Sequence, residues 1–147
     1  MPSYLLDTNV LLRALDETSP HRAAAQAAVA ALLSRGEDCF LTGQVLIESW
    51  AVATRPADAN GLGWTLEVAE AQLRKLRARF LWLDDRAEVF PAWLELVCRR
   101  RISGKHAHDG RLAALMQVHG ISHLLTFNTA DFPPELGVTA VDPNGVR

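Results

Sequence analysis

Five oxygen-bearing side chains stand at positions suited to chemistry: Asp7, Glu48, Asp109, Asn128 and Asp131. Asp7 ends the apolar run Tyr4-Leu5-Leu6, which reads as a buried parallel strand. Ligands of open α/β sheets gather at the carboxyl ends of their strands, so a carboxylate there is well placed. Glu48 shares a helical face with Val45 and Val52. Asp109 heads the apolar stripe of Leu112, Ala113 and Met116. The run Leu124-Leu125-Thr126-Phe127 then ends on Asn128, as the first ends on Asp7, and Asp131 follows shortly.

Each of these residues alone has an ordinary explanation as a turn residue, a helix-edge acid, an N-cap or a solvated loop acid. Together they imply one crevice at the carboxyl edge of a sheet. Carboxylates converging there repel one another unless a cation neutralises them. Oxygen ligands of this kind suit Mg²⁺ or Mn²⁺. The basic run Arg99-Arg100-Arg101, with Lys105, lies just before Asp109. Such a run serves either as solvated surface or as a phosphate-binding surface. Acids around a hard metal, bordered by arginines, point to phosphodiester hydrolysis.

The elements that must position these residues alternate along the chain. Strands are expected at Tyr4–Leu6, Cys39–Thr42, Phe80–Leu83, His123–Phe127 and Val138–Val141. Helices are expected at Val10–Leu15, from Pro20 to Ser34, at Gly43–Thr54, from Thr65 to Arg79, over Arg86–Arg101 and over Asp109–His119. Pro91 should kink the fifth of these or mark its true start. Ser103–His108 reads as a connector, and Arg55–Gly63 as a loop. Strict alternation predicts a central parallel sheet covered by helices on both faces, in one domain spanning residues 1–147.

Composition agrees with a soluble globular chain: 49% hydrophobic and 22% charged residues, net charge −2. No apolar run is long enough to span a membrane, and no signal peptide is evident, so a cytoplasmic location is expected. Cys39 and Cys98 form no CxxC pair and are expected to be buried reduced thiols. Ala24, Ala27, Ala28 and Ala31 share one side of the second helix and suit close packing in the core or at a dimer interface. Trp64, in the glycine-bounded loop, is a candidate for stacking on a base, whereas Trp82 and Trp93 are expected in the core.

Four motifs in order give the chain a resemblance to a known family. They are Leu5-Leu6-Asp7-Thr8-Asn9-Val10, Glu48 after Gln44-Val45-Leu46, His108-Asp109-x-x-Leu112-Ala113-Ala114, and Leu124-Leu125-Thr126-x-Asn128-x-x-Asp131-Phe132. This pattern resembles PIN-domain ribonucleases, and among them VapC-type toxins of toxin–antitoxin pairs. Thr54-Arg55-Pro56 followed by Asn60-Gly61-Leu62-Gly63 also looks like a loop found in one VapC subgroup.

The resemblance implies a three-layer α/β/α fold and Mg²⁺- or Mn²⁺-dependent cleavage of RNA. It implies that Asp7, Glu48 and Asp109 are the core acids, that Asn9 and Thr126 are supporting polar residues, and that Asn128 or Asp131 fills a fourth position. Many relatives carry Asp where this chain has Asn128, and Ala where it has Gly110. A homodimer and a cognate antitoxin are also implied.

Three alternatives are weaker. A haloacid-dehalogenase-like phosphatase needs Asp-x-Asp, and here the second position is Asn9. A PIN-like module that binds without cutting has no need of the three acids. A PIN nuclease of RNA processing would work without an antitoxin. A transition-metal site at His106, His108 and Asp109 is a further minor reading, with His108 expected to orient a carboxylate or pack locally.

Overall fold

Leu5, Leu6, Leu124 and Leu125 are wholly buried. Strands covered on both faces are continuous in apolar residues, as these are. In the computed structural model, which describes residues 2–147, they belong to a five-stranded, all-parallel sheet. Its strands are β1 (Ser3–Leu6), β2 (Asp38–Thr42), β3 (Leu81–Leu83), β4 (His123–Leu125) and β5 (Thr139–Val141). The order across the sheet is β3-β2-β1-β4-β5. The chain therefore steps outward from β1 to β3, then returns to place β4 on the other side of β1.

Six helices connect the strands: α1 (Thr8–Leu15), α2 (Arg22–Ser34), α3 (Gly43–Thr54), α4 (Leu66–Arg79), α5 (Val89–Arg100) and α6 (His106–His119). α1 packs on α2 and α3, α3 packs on α4, and α5 packs on α6. Right-handed crossovers in opposite directions along the sheet send α1–α4 to one face and α5–α6 to the other. The result is the three-layer α/β/α arrangement expected from the sequence.

Local chemistry explains the helix starts. The Asp7 carboxylate accepts the Thr8 N–H, the Thr42 hydroxyl the Val45 N–H and the Thr65 hydroxyl the Val68 N–H, so each acts as an N-cap. α5 begins at Val89 rather than Arg86. Pro91 thus falls in the first turn, where a missing N–H costs no helical bond. α6 begins at His106, a turn earlier than expected, so Asp109 stands inside the first turn and not at the cap. Gly110 lies where α6 meets α5: a Cβ there would stand 3.3 Å from Val97 Cγ1. The glycine costs helix propensity and permits the close approach.

Other expectations need correction. The buried side of α2 is Ala25, Ala28, Val29 and Leu32, and Ala27 is exposed. Cys39 is buried, but Cys98 is exposed, because α5 directs Leu96 inward and Cys98 outward. Trp82 is partly buried against the core beneath the Arg77 guanidinium. Among the described residues no helix is long and apolar enough to cross a membrane.

Candidate metal-binding site

The sheet order reverses at β1, whose neighbours β2 and β4 are reached by connections running in opposite directions. Such a switch point leaves a crevice at the strands' carboxyl ends. The register pairs Leu6 with Leu125, and the Asp7 N–H donates to the Leu125 carbonyl at 3.0 Å. Thr126, not Asn128, is therefore the residue beside Asp7. β4 ends two residues earlier than expected because side chains capture the next backbone groups. Asn9 Oδ1 accepts the Phe127 N–H at 3.0 Å, and Thr126 Oγ1 accepts the Asn128 N–H at 3.0 Å.

The same residues hold Asp7, which is only 8% exposed. Its Oδ1 accepts the Thr8 N–H at 2.8 Å. Its Oδ2 accepts the Thr126 hydroxyl at 2.8 Å and the Asn9 amide at 3.4 Å. Burial nevertheless pushes the Asp7 carboxyl up to about 6, with the charges of Glu48 and Asp109 adding to the rise and the Thr126 and Thr8 bonds opposing it.

Glu48, half-buried on α3, is held at both oxygens. The Thr8 hydroxyl donates to Oε2 at 3.1 Å, and the Gln44 amide to Oε1 at 3.2 Å. Gln44 is itself fixed: its amide also donates to the His108 carbonyl at 3.0 Å, and Arg111 donates to its Oε1 at 2.8 Å. Arg111 also donates to Asp85 at 2.9 Å. Sequence reasoning missed Thr8, Gln44 and Arg111. Gln44 lies one helical turn before Glu48, which was the available signal.

Asp109 meets His106 Nδ1 at 3.2 Å. His106, rather than the His108 favoured from sequence, is the histidine that contacts it, because the early start of α6 sets it one turn away. Ligand atoms of His106, Asp109 and Asp131 all lie within 4.8 Å of one another. Burial raises the Asp109 carboxyl, followed among the raising influences by the charges of Asp131 and Glu48, while His106 opposes the rise.

Asp7, Glu48, Asp109, Asn128, Asp131 and Asn9 all line one open cleft of about 750 Å³. The loop expected at Arg55–Gly63 lends Asn60 and Leu62 to its wall. A Cβ on Gly61 would collide with the Arg55 carbonyl, so this loop requires glycine there. Arg13 also lines the cleft, with its guanidinium 4.6 Å from the Phe127 ring centre. Trp64 is not among the lining residues. Four carboxylates and an amide oxygen, with two of the carboxyls pushed upward, form a donor set that a hard divalent cation fits. Arg99, Arg100, Arg101 and Lys105 are all exposed, and only Arg100 and Arg101 line a second groove beside the cleft.

These features define an α/β protein with an acid-lined cleft at the switch point of a parallel sheet. The chain belongs to the PIN domain family, whose sequence model matches residues 4–133. Solved structures share the fold. VapBC2 from Rickettsia felis, bound to a DNA fragment from its promoter, is similar at TM-score 0.70 and 19% identity, over 95% of this chain and 97% of that one. FitAcB from Neisseria gonorrhoeae is similar at TM-score 0.64 and 23% identity, over 95% and 97%. VapC20 from Mycobacterium tuberculosis, described as a sarcin-ricin loop cleaving toxin, is similar at TM-score 0.59 and 17% identity, over 83% and 87%. No curated protein matches the sequence.

Proposed function

We propose that this protein is a Mg²⁺- or Mn²⁺-dependent endoribonuclease acting as the toxin of a toxin–antitoxin pair. The observation that carries the reading is the convergence of Asp7, Glu48, Asp109 and Asp131 on one cleft at the sheet's switch point. The fold shared with the VapBC complexes and the sarcin-ricin loop cleaving toxin supports it.

Asp7, Glu48 and Asp109 would hold the cation, with Asn128 or Asp131 completing the set. A divalent cation here would polarise a phosphate and make water a better nucleophile. Thr126 and Asn9 steady Asp7, while Thr8 and Gln44 steady Glu48, so the carboxylates are oriented before substrate arrives. Water attacks phosphorus in line, the bond to O3′ breaks, and the products are a 5′-phosphate and a 3′-hydroxyl. Of the basic run, Arg100 and Arg101, which line the groove beside the cleft, would meet the RNA backbone. The protein would act in the cytoplasm as one domain, as a homodimer, and be silenced by a cognate antitoxin.

The test is cleavage of total RNA by the purified protein, with Mn²⁺ or with EDTA, beside Asp7→Asn. Cleavage that survives EDTA or the substitution would remove the metal-dependent reading. Growth arrest on expression, relieved by the product of an adjacent short reading frame, would establish the toxin role. Arrest that no neighbouring product relieves would favour an RNA-processing nuclease.

A further inference from the structure

Deepening that reading, and resting on it, we infer that the groove beside the acid cleft is a subsite for one RNA nucleotide flanking the cleaved bond, bound by Arg100 and Arg101. The groove has a volume of about 330 Å³, and its lining includes these two arginines and the apolar residues Ile102, Pro133 and Leu136. Such a volume is at the small end of ligand sites, the scale of a single nucleotide rather than a strand. Asp131 lines both the groove and the cleft, and His106 on the groove wall contacts Asp109 of the cleft. The two cavities thus share a wall at Asp131.

The chemistry of the walls suits a nucleotide. Guanidinium groups pair with phosphate oxygens, and an apolar wall takes a sugar or base. The position has an electrostatic reason. The acid cleft repels phosphates next to the one being cleaved, so a strand passing through it gains from cationic groups just outside.

The backbone supports a role for Arg101 in particular. It ends α5 with φ of 54°, a left-handed conformation that favours glycine, and its N–H donates to the Val97 carbonyl. The turn fixes where its side chain departs. Arg99 and Lys105 differ. Arg99 is 3.5 Å from Glu95 on the same helix, and neither residue lines the groove. The basic run therefore divides into two groove residues and two surface residues, a division its sequence does not show.

The experiment compares wild type with Arg100→Gln/Arg101→Gln and with Arg99→Gln/Lys105→Gln. Binding of a fluorescent, mixed-sequence 12-nucleotide single-stranded RNA is measured with Ca²⁺ replacing Mg²⁺, so that bound RNA stays intact. The groove variant should bind about tenfold more weakly, and its dependence of log K on log salt should flatten by about 0.7 per lost phosphate contact. The surface variant should bind within about twofold of wild type, as expected of solvated charges. Shortening the RNA from one end should erase the groove variant's penalty, because a one-nucleotide subsite needs that flank.

Equal losses in both variants, or a penalty independent of RNA length, would overturn the subsite. Wild type that binds RNA with this contrast but does not cut it with Mn²⁺ would leave the subsite standing and remove the ribonuclease reading. Wild type that binds no RNA would remove both.

Discussion

Asp7→Asn should stabilise the metal-free protein, although it removes a proposed ligand. The carboxyl has a pKa of about 6 in the folded chain against an ordinary 3.8. Between these values the folded state binds more protons than the unfolded one, so stability falls as pH rises through the interval. Above pH 7 the ionised Asp7 costs the fold about 3 kcal/mol.

Asparagine removes this cost but, with its oxygen kept toward Thr126 and Asn9, turns its amide toward the Thr8 N–H, which now donates to Asp7 Oδ1 at 2.8 Å. One hydrogen bond is lost, worth about 1 kcal/mol. The net gain of about 2 kcal/mol corresponds to a midpoint raised by about 5 °C for a chain of this size. Near pH 4 most of the electrostatic cost is gone, and the advantage should vanish. Manganese should reverse the order: at 100 times its dissociation constant it stabilises wild type by about 2.7 kcal/mol and the variant much less. Thermal unfolding at pH 8 and pH 4, each with EDTA and with Mn²⁺, checks all three statements. A variant less stable than wild type at pH 8 in EDTA, or equally stabilised at both pH values, would refute the reasoning.

Other outcomes follow from the same contacts. Thr126→Val should lower stability by about 2 kcal/mol, since Asp7 loses a donor and the Asn128 N–H its acceptor; urea unfolding measures it. Gln44→Leu frees Glu48 Oε1 and should weaken Mn²⁺ binding by roughly tenfold in a calorimetric titration, with Gln44→Glu failing to rescue it. Asp131→Asn should weaken the same binding by roughly tenfold, whereas Asn128→Ala, removing an exposed amide, should change it by about twofold or less. In the folded protein one thiol, Cys98, should react promptly with a disulfide reagent. Cys39 should react only on unfolding, because burial pushes its thiol up to about 11.

Much of the architecture was legible in the chain. Short apolar runs alternating with amphipathic segments can satisfy their backbone and bury their faces in few ways, and a parallel sheet between helix layers is the usual one. The acids were legible for a related reason: a carboxylate beside buried leucines, as at Asp7, or heading an apolar stripe, as at Asp109, conflicts with its surroundings unless it has a task. Asn9 and Thr126 stood out only through the family resemblance. The structure then showed their work as hydrogen-bond partners of Asp7.

What the sequence by itself determined is therefore the set of strands, their direction and the acids at their ends, since local periodicity and burial encode these. Tertiary structure decided the partners. The register of β1 on β4 made Thr126 the neighbour of Asp7, and the early start of α6 brought His106 to Asp109. Side-chain bonds from the start of α6 fixed Gln44, which supports Glu48, and the end of α5 set Arg100 and Arg101 on the groove while Arg99 and Lys105 stayed off it. Each of these depends on where two segments distant in sequence meet, and side-chain capture at strand and helix ends sets that meeting, not the periodicity of either segment.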